Sequence, residues 1–110
     1  MRKIRTYGGY FEAFIETLEE DERKKIEYGL LLLKTMNRLP TRFVKHIEGG
    51  LYELRTEFEG KEIRTFFVFD EGGIVVLFNG FQKKSQKTPR REIEKAKQIM
   101  KAYYERTRQR

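Results

Sequence analysis

Four cations sit where a strand would ordinarily carry apolar residues. Arg55 lies in LYELRTEFEG, on the side opposite Tyr52 and Leu54; Arg64 interrupts the apolar stretch KEIRTFFVFD; Lys83 and Lys84 close the run IVVLFNGFQKK. If these three segments are neighbouring strands, the four side chains can meet in one concave place. Fixed cations in such a place can cradle an RNA backbone and stabilise the charge that builds on non-bridging phosphate oxygens during phosphoryl transfer. The bland alternative is cross-strand pairing of Arg55 and Arg64 with Glu53, Glu57 or Glu62, each pair worth only ~0.2–1 kcal/mol.

Other chemistries find less support. There is no cysteine, which excludes disulfides, thiolate catalysis and cysteine-ligated zinc. His46, the only histidine, falls in VKHIEGG, an expected loop with no partner ligands, and suits a surface or packing role. Glu19 to Glu22 superficially resemble a metal cluster, but acids of this kind suit the start of a helix. Gly72-Gly73 fits a hairpin turn, not a phosphate loop. Tyr103 falls on a helical apolar stripe, so packing accounts for it better than base stacking. Lys83, Lys84, Lys87, Arg90 and Arg91 arrive within nine positions. Arg90 and Arg91 would oppose the dipole of the helix they begin, a local cost that hints at use.

The elements that must position these residues can be read from periodicity. Lys3 to Tyr7 can form a short edge strand, ended by Gly8-Gly9. Phe11, Phe14, Ile15 and Leu18 mark one face of a helix; Ile26, Leu30, Leu33 and Met36 mark a second, expected to end near Asn37. Together they make a helical hairpin. LYELRTEFEG alternates as a strand turned by Gly60; KEIRTFFVFD and IVVLFNGF, apolar at nearly every position, are two more, joined by a turn at Glu71-Gly72-Gly73, an antiparallel meander. Thr88-Pro89 reads as a helix start, with Thr88 as cap. Ile93, Ala96, Met100 and Tyr103 are the stripe of a last helix, expected to fray in its final six residues. The order is β-α-α-β-β-β-α: an α+β fold in which the helical hairpin covers one sheet face and the other stays partly open.

The chain has 110 residues, 38% of them hydrophobic and 14% aromatic, enough for one core and one domain over 1–110. Its net charge of +7 is concentrated at one end. Residues 81–110 hold 11 Lys/Arg against 3 Glu, which favours a polyanionic partner, nucleic acid first. The start lacks the apolar core of a signal peptide, and no apolar run could span a bilayer, so a soluble, cytoplasmic protein with no membrane partner is expected.

Over Leu51 to Tyr104 the chain resembles the RelE/ParE superfamily of toxin–antitoxin toxins, most closely its HigB-like, phage-related branch. The carrying stretches are Leu51-Tyr52-Glu53-Leu54-Arg55, Arg64 with Phe66-Phe67, and Gly80 to Pro89 followed by an Ala-containing helix. The resemblance implies a ribosome-dependent mRNA endoribonuclease without metal or other cofactor. In such an enzyme the ribose 2′-OH attacks the adjacent phosphate to leave a 2′,3′-cyclic end. It implies that Arg55 and Arg64 hold the scissile phosphate, that Lys83 and Lys84 stabilise the transition state or leaving oxygen, and that Glu53 is a candidate base. Lys87, Arg90 and Arg91 would grip ribosomal RNA. It also implies an antitoxin partner, with operator DNA reached only through the antitoxin complex. Relatives carry a His or Tyr for proton transfer that is missing between Gln82 and Arg91, so acid and base stay unassigned. A gyrase-inhibiting toxin of the same fold and a non-catalytic nucleic-acid-binding module remain alternatives.

Overall fold

The computed structural model describes residues 1–83 and 87–108. The chain runs β1 (Ile4–Thr6), α1 (Tyr10–Glu16), α2 (Glu20–Thr35), β2 (Val44–Glu48), β3 (Leu51–Phe58), β4 (Lys61–Asp70), β5 (Ile74–Lys83) and α3 (Arg90–Arg108). The strands form one sheet in the order β1-β5-β4-β3-β2. The α+β class is as expected, with two corrections. The sheet is mixed, because β1 lies parallel to β5. It also has a fifth strand: the expected loop around His46 is β2, paired antiparallel to β3 with an irregularity between His46 and Glu48.

The central meander follows the expected alternation. Glu59 and Gly60 both take positive φ, 49° and 79°, between the paired residues Phe58 and Lys61. Two left-handed residues in a two-residue loop match the twist of the flanking strands. The resulting register sets Arg55 directly opposite Arg64 and Glu53 opposite Phe66. On the next strand Arg64 faces Phe81 and Glu62 faces Lys83. Residues opposite one another share a face, so Glu53, Arg55, Arg64 and Lys83 all lie on one side of the sheet.

The two faces are covered differently. On one, α1, α2 and the link between them pack through Phe11, Leu18, Ile26, Leu30 and Leu33 against Leu54, Ile63, Phe67, Val75 and Leu77. Contact there is close enough that a Cβ on Gly80 would lie 2.3 Å from Phe14. α2 begins with a reciprocal cap in which the Glu19 N–H donates to Glu22 Oε1 at 2.9 Å, so the acidic cluster is a helix start. Met36 falls just past the helix and is exposed.

The opposite face stays partly open, as expected, with α3 over the rest. α3 crosses it, burying Ala96 and Ile99 against Leu51, Phe66, Val68, Val76 and Phe78. Tyr103 packs edge-on to Tyr7 at 5.3 Å, which assigns it to the core. α3 continues to Arg108, through most of the stretch expected to fray. It covers only part of the sheet, and the cations of β3, β4 and β5 lie beyond its first turn. Among the described residues no helix is long and apolar enough to cross a membrane.

Candidate nucleic-acid site

Glu53 is the pivot of the cationic face. It is only 1% exposed, and a buried carboxylate without partners would be severely penalised. Three groups surround it. Arg55 Nε lies 3.3 Å and Arg64 Nε 3.6 Å from Oε1, while the Thr88 hydroxyl donates to Oε2 at 3.1 Å. The bond from Thr88 has a cost elsewhere: it removes the side chain expected to cap α3. The helix instead starts one residue later, with the Pro89 carbonyl accepting from the N–H groups of Glu92 and Ile93.

The two arginines are not equivalent. Arg64 is 2% exposed; besides Glu53, its Nη2 lies 3.5 Å from Glu62 and its Nη1 donates to the Ile63 carbonyl at 3.1 Å. Burial pushes its guanidinium below the ordinary arginine range, against the pull of Glu53. Arg55 keeps a quarter of its side chain in solvent, and its Nη1 donates to the Thr41 carbonyl at 3.3 Å. Neither Nε–H is aligned for a hydrogen bond with a described residue, so both pairs act through charge and proximity. Arg64 is thus a buried brace under Glu53, and Arg55 is the arginine that reaches the surface.

That surface is a hollow of about 290 Å³ whose walls include Lys45, Glu48, Arg55, Lys83, Lys87 and Thr88. Lys83 stands at its back, 4.0 Å from Glu62. Four cations line this concave wall, and Glu48 is the only acid among the described residues that line it, so its charge is of the sign that attracts a polyanion. Glu48 faces away from such a role: Arg90 donates to both its oxygens, at 2.9 and 3.0 Å, and Lys97 stands 2.8 Å away. Arg90 first, then Lys97, holds its carboxyl down to about 2.

The expected site residues therefore separate into groups. Glu53, Arg55, Arg64 and Lys83 share one sheet face, and Lys87 joins Arg55 and Lys83 around the hollow. Lys84 lies outside the described residues. Arg90 binds Glu48 and Glu94, so the cost of a cation at the start of α3 is met by two carboxylates. Arg91 is 85% exposed, its nearest acid 4.0 Å away at Glu92, and does not line the hollow.

One residue went unnoticed in the sequence. Lys45 lies opposite Glu53 in the β2–β3 register and enters the hollow. Its signal was available only to a reading that made VKHIE a strand. The same register sets His46 against Tyr52, on the helical-hairpin side. There its ring meets Tyr52 edge-on at 5.1 Å and its Nε2 lies 2.6 Å from the Gly49 carbonyl. His46 borders the hollow through its position in the strand, while its ring packs elsewhere. Among the described residues no three His, Cys, Asp or Glu side chains cluster as metal ligands would.

A family model described as "Phage derived protein Gp49-like (DUF891)" matches residues 13–101, a span that runs from the middle of α1 through most of α3 and takes in the whole cationic hollow. No curated protein matches the chain.

Proposed function

The chain belongs to the Gp49-like family of phage-derived proteins, a RelE/HigB-like toxin-type family, and from that premise we propose that it is the toxin of a toxin–antitoxin pair that cleaves mRNA on the ribosome. The observation that carries this is the hollow: exposed Lys45 and Lys87, quarter-exposed Arg55 and the largely buried Lys83 converge from three strands and the α3 approach, over a buried Glu53–Arg64 pair that fixes the arginine head.

The chemistry asked of the site is an in-line displacement. A ribose 2′ oxygen attacks its own 3′ phosphorus and gives up its proton, and the bond from phosphorus to the 5′ oxygen breaks. That oxygen gains a proton, leaving a 2′,3′-cyclic phosphate and a 5′-hydroxyl. Charge develops on the non-bridging oxygens, where a guanidinium held in place costs no reorganisation. Arg55 would hold those oxygens. Lys83 and Lys45 would neutralise the developing charge from the sides, with Lys84 beside Lys83 in sequence. Lys87 and Arg91 would bind the flanking backbone, whereas Arg90 serves chiefly to clasp β2. Glu53 is better suited to orient Arg55 than to take a proton, since Thr88 and both arginines already occupy it. An acidic antitoxin segment over the hollow would silence it by electrostatic complementarity.

The test is the end chemistry of the products. Transcripts translated in the presence of the protein should be cut within the reading frame, with 5′-hydroxyl ends that a polynucleotide kinase labels without prior phosphatase treatment. Fragments bearing 5′-phosphates would overturn the proposed displacement. Uncut transcripts would favour a gyrase-directed or purely binding toxin.

A further inference from the structure

A second basic groove lies at the far end of α3. Arg5 of β1 and Arg106 of α3 both line an open cleft of about 520 Å³, together with Thr6, Tyr7, Val76, Tyr103 and Thr107. These two arginines are about a hundred positions apart in the chain, so the fold, not local composition, brings them together. Both are exposed, and among the described residues neither takes part in an ion pair.

The nearest acid of β4 is already engaged. Asp70 Oδ1 accepts the Glu71 N–H at 2.8 Å, and Oδ2 accepts the Tyr103 hydroxyl. Burial and then Asp70 push that phenol up to about 12, so it remains a donor at neutral pH. Asp70 and Glu71 line a neighbouring hollow together with Arg5, but among the described residues neither forms an ion pair with it. Arg108 adds a third cation nearby, lying over the Tyr104 ring at 5.7 Å.

Position supplies the rest. Arg5 pairs with Val76 of β5, which packs on the α3 side of the sheet, as does Tyr7 two residues after Arg5. The groove therefore opens on the same face as the cationic hollow. Along α3 the hollow's Ile93 and the groove's Arg106 are 13 residues apart, about 20 Å. The hydroxyls of Thr6, Tyr103 and Thr107 donate inward, to Glu12, Asp70 and the Tyr104 carbonyl, so the two guanidinium groups are what the open cleft offers a passing backbone.

We propose that the Arg5–Arg106 groove is a second binding site for the RNA phosphodiester backbone, gripping the same substrate complex whose scissile phosphate enters the hollow, an inference that rests on the RNA-cleaving reading of that hollow. The backbone could belong to the message or to ribosomal RNA, which present the same phosphates. The test is the salt dependence of binding for wild type and for the double variant Arg5→Gln, Arg106→Gln, using two probes: a 30-nucleotide single-stranded RNA and vacant ribosomes. Loss of two phosphate contacts should lower the slope of log K against log salt by about 1.4–1.8. A lowered slope with the oligonucleotide assigns the groove to the message; a lowered slope with ribosomes alone assigns it to ribosomal RNA; either supports the site. An unchanged slope with both probes overturns it, as does release of an acidic partner protein by the double variant without any change in RNA binding. Cleavage is scored separately with Arg55→Ala. If wild type binds through the groove but never cuts, the nuclease reading fails and the groove stands. If Arg55 proves essential while the slope is unchanged, the groove fails and the nuclease reading stands.

Discussion

Arg64→Ala removes a side chain that is 2% exposed and leaves Glu53, 1% exposed, with one guanidinium in place of two. At the observed 3.6 Å and an effective dielectric of about 20, the attraction lost is roughly 4–5 kcal/mol before the desolvation of the arginine is counted. Breaking one half of a buried pair generally costs about 3–5 kcal/mol, because the remaining charge is stranded. The expected destabilisation is in that range, read by urea unfolding at pH 7 with far-UV circular dichroism. The double variant Glu53→Gln, Arg64→Met should recover most of it, since no buried charge is then unpaired. If Arg64→Ala unfolds within about 1 kcal/mol of wild type, or if the double variant is as unstable as the single one, Arg64 is not a brace for Glu53. A corollary concerns catalysis: loss of activity in Arg64→Ala would report a collapsed support, so Arg55, with a quarter of its side chain exposed, is the sounder probe of chemistry.

Other outcomes follow from particular contacts. Lys45→Ala should weaken RNA binding and cleavage, whereas His46→Ala should leave cleavage unchanged because its ring packs on Tyr52; parallel rate measurements on translated mRNA separate the two. Gly80→Ala forces a methyl to within 2.3 Å of Phe14 and should cost about 1–3 kcal/mol, visible as a lowered melting temperature. Glu48, held down to about 2 by Arg90 and Lys97, contributes stability that is complete above its unfolded value of about 4.3 and is lost as pH falls through about 2. Carboxyl NMR should give a midpoint near 2 for Glu48, and amide exchange in β2 should accelerate only below pH 4.

Much of this architecture was legible in the sequence because period-2 alternation survives burial. Tyr52, Leu54 and Thr56 against Glu53, Arg55 and Glu57 gave the orientation of β3, and two tight turns then brought Arg55 and Arg64 to one face. What was hidden depended on long-range pairing. β2 carries Lys45 and His46 in mid-strand, so nothing local marks it as a strand; its place is set by β3 alongside. Thr88 had every local feature of a helix cap, but a buried carboxylate 35 positions earlier draws its hydroxyl away. The difference between Arg55 and Arg64 was likewise illegible, since alternation reports which face a side chain takes and not how deeply the neighbouring elements cover it.

The most direct measurement is primer extension on an actively translated message, comparing wild type with Arg55→Ala. The wild-type protein should produce cuts in phase with the codons, and Arg55→Ala should reduce them by about 10²–10³-fold, the scale for losing one preorganised charge-stabilising group, while its circular dichroism spectrum stays that of the folded protein; its urea midpoint should fall, because buried Glu53 also loses the guanidinium 3.3 Å away. Cuts of undiminished intensity from a folded Arg55→Ala protein would contradict the assignment of the hollow as the place where the phosphodiester is broken.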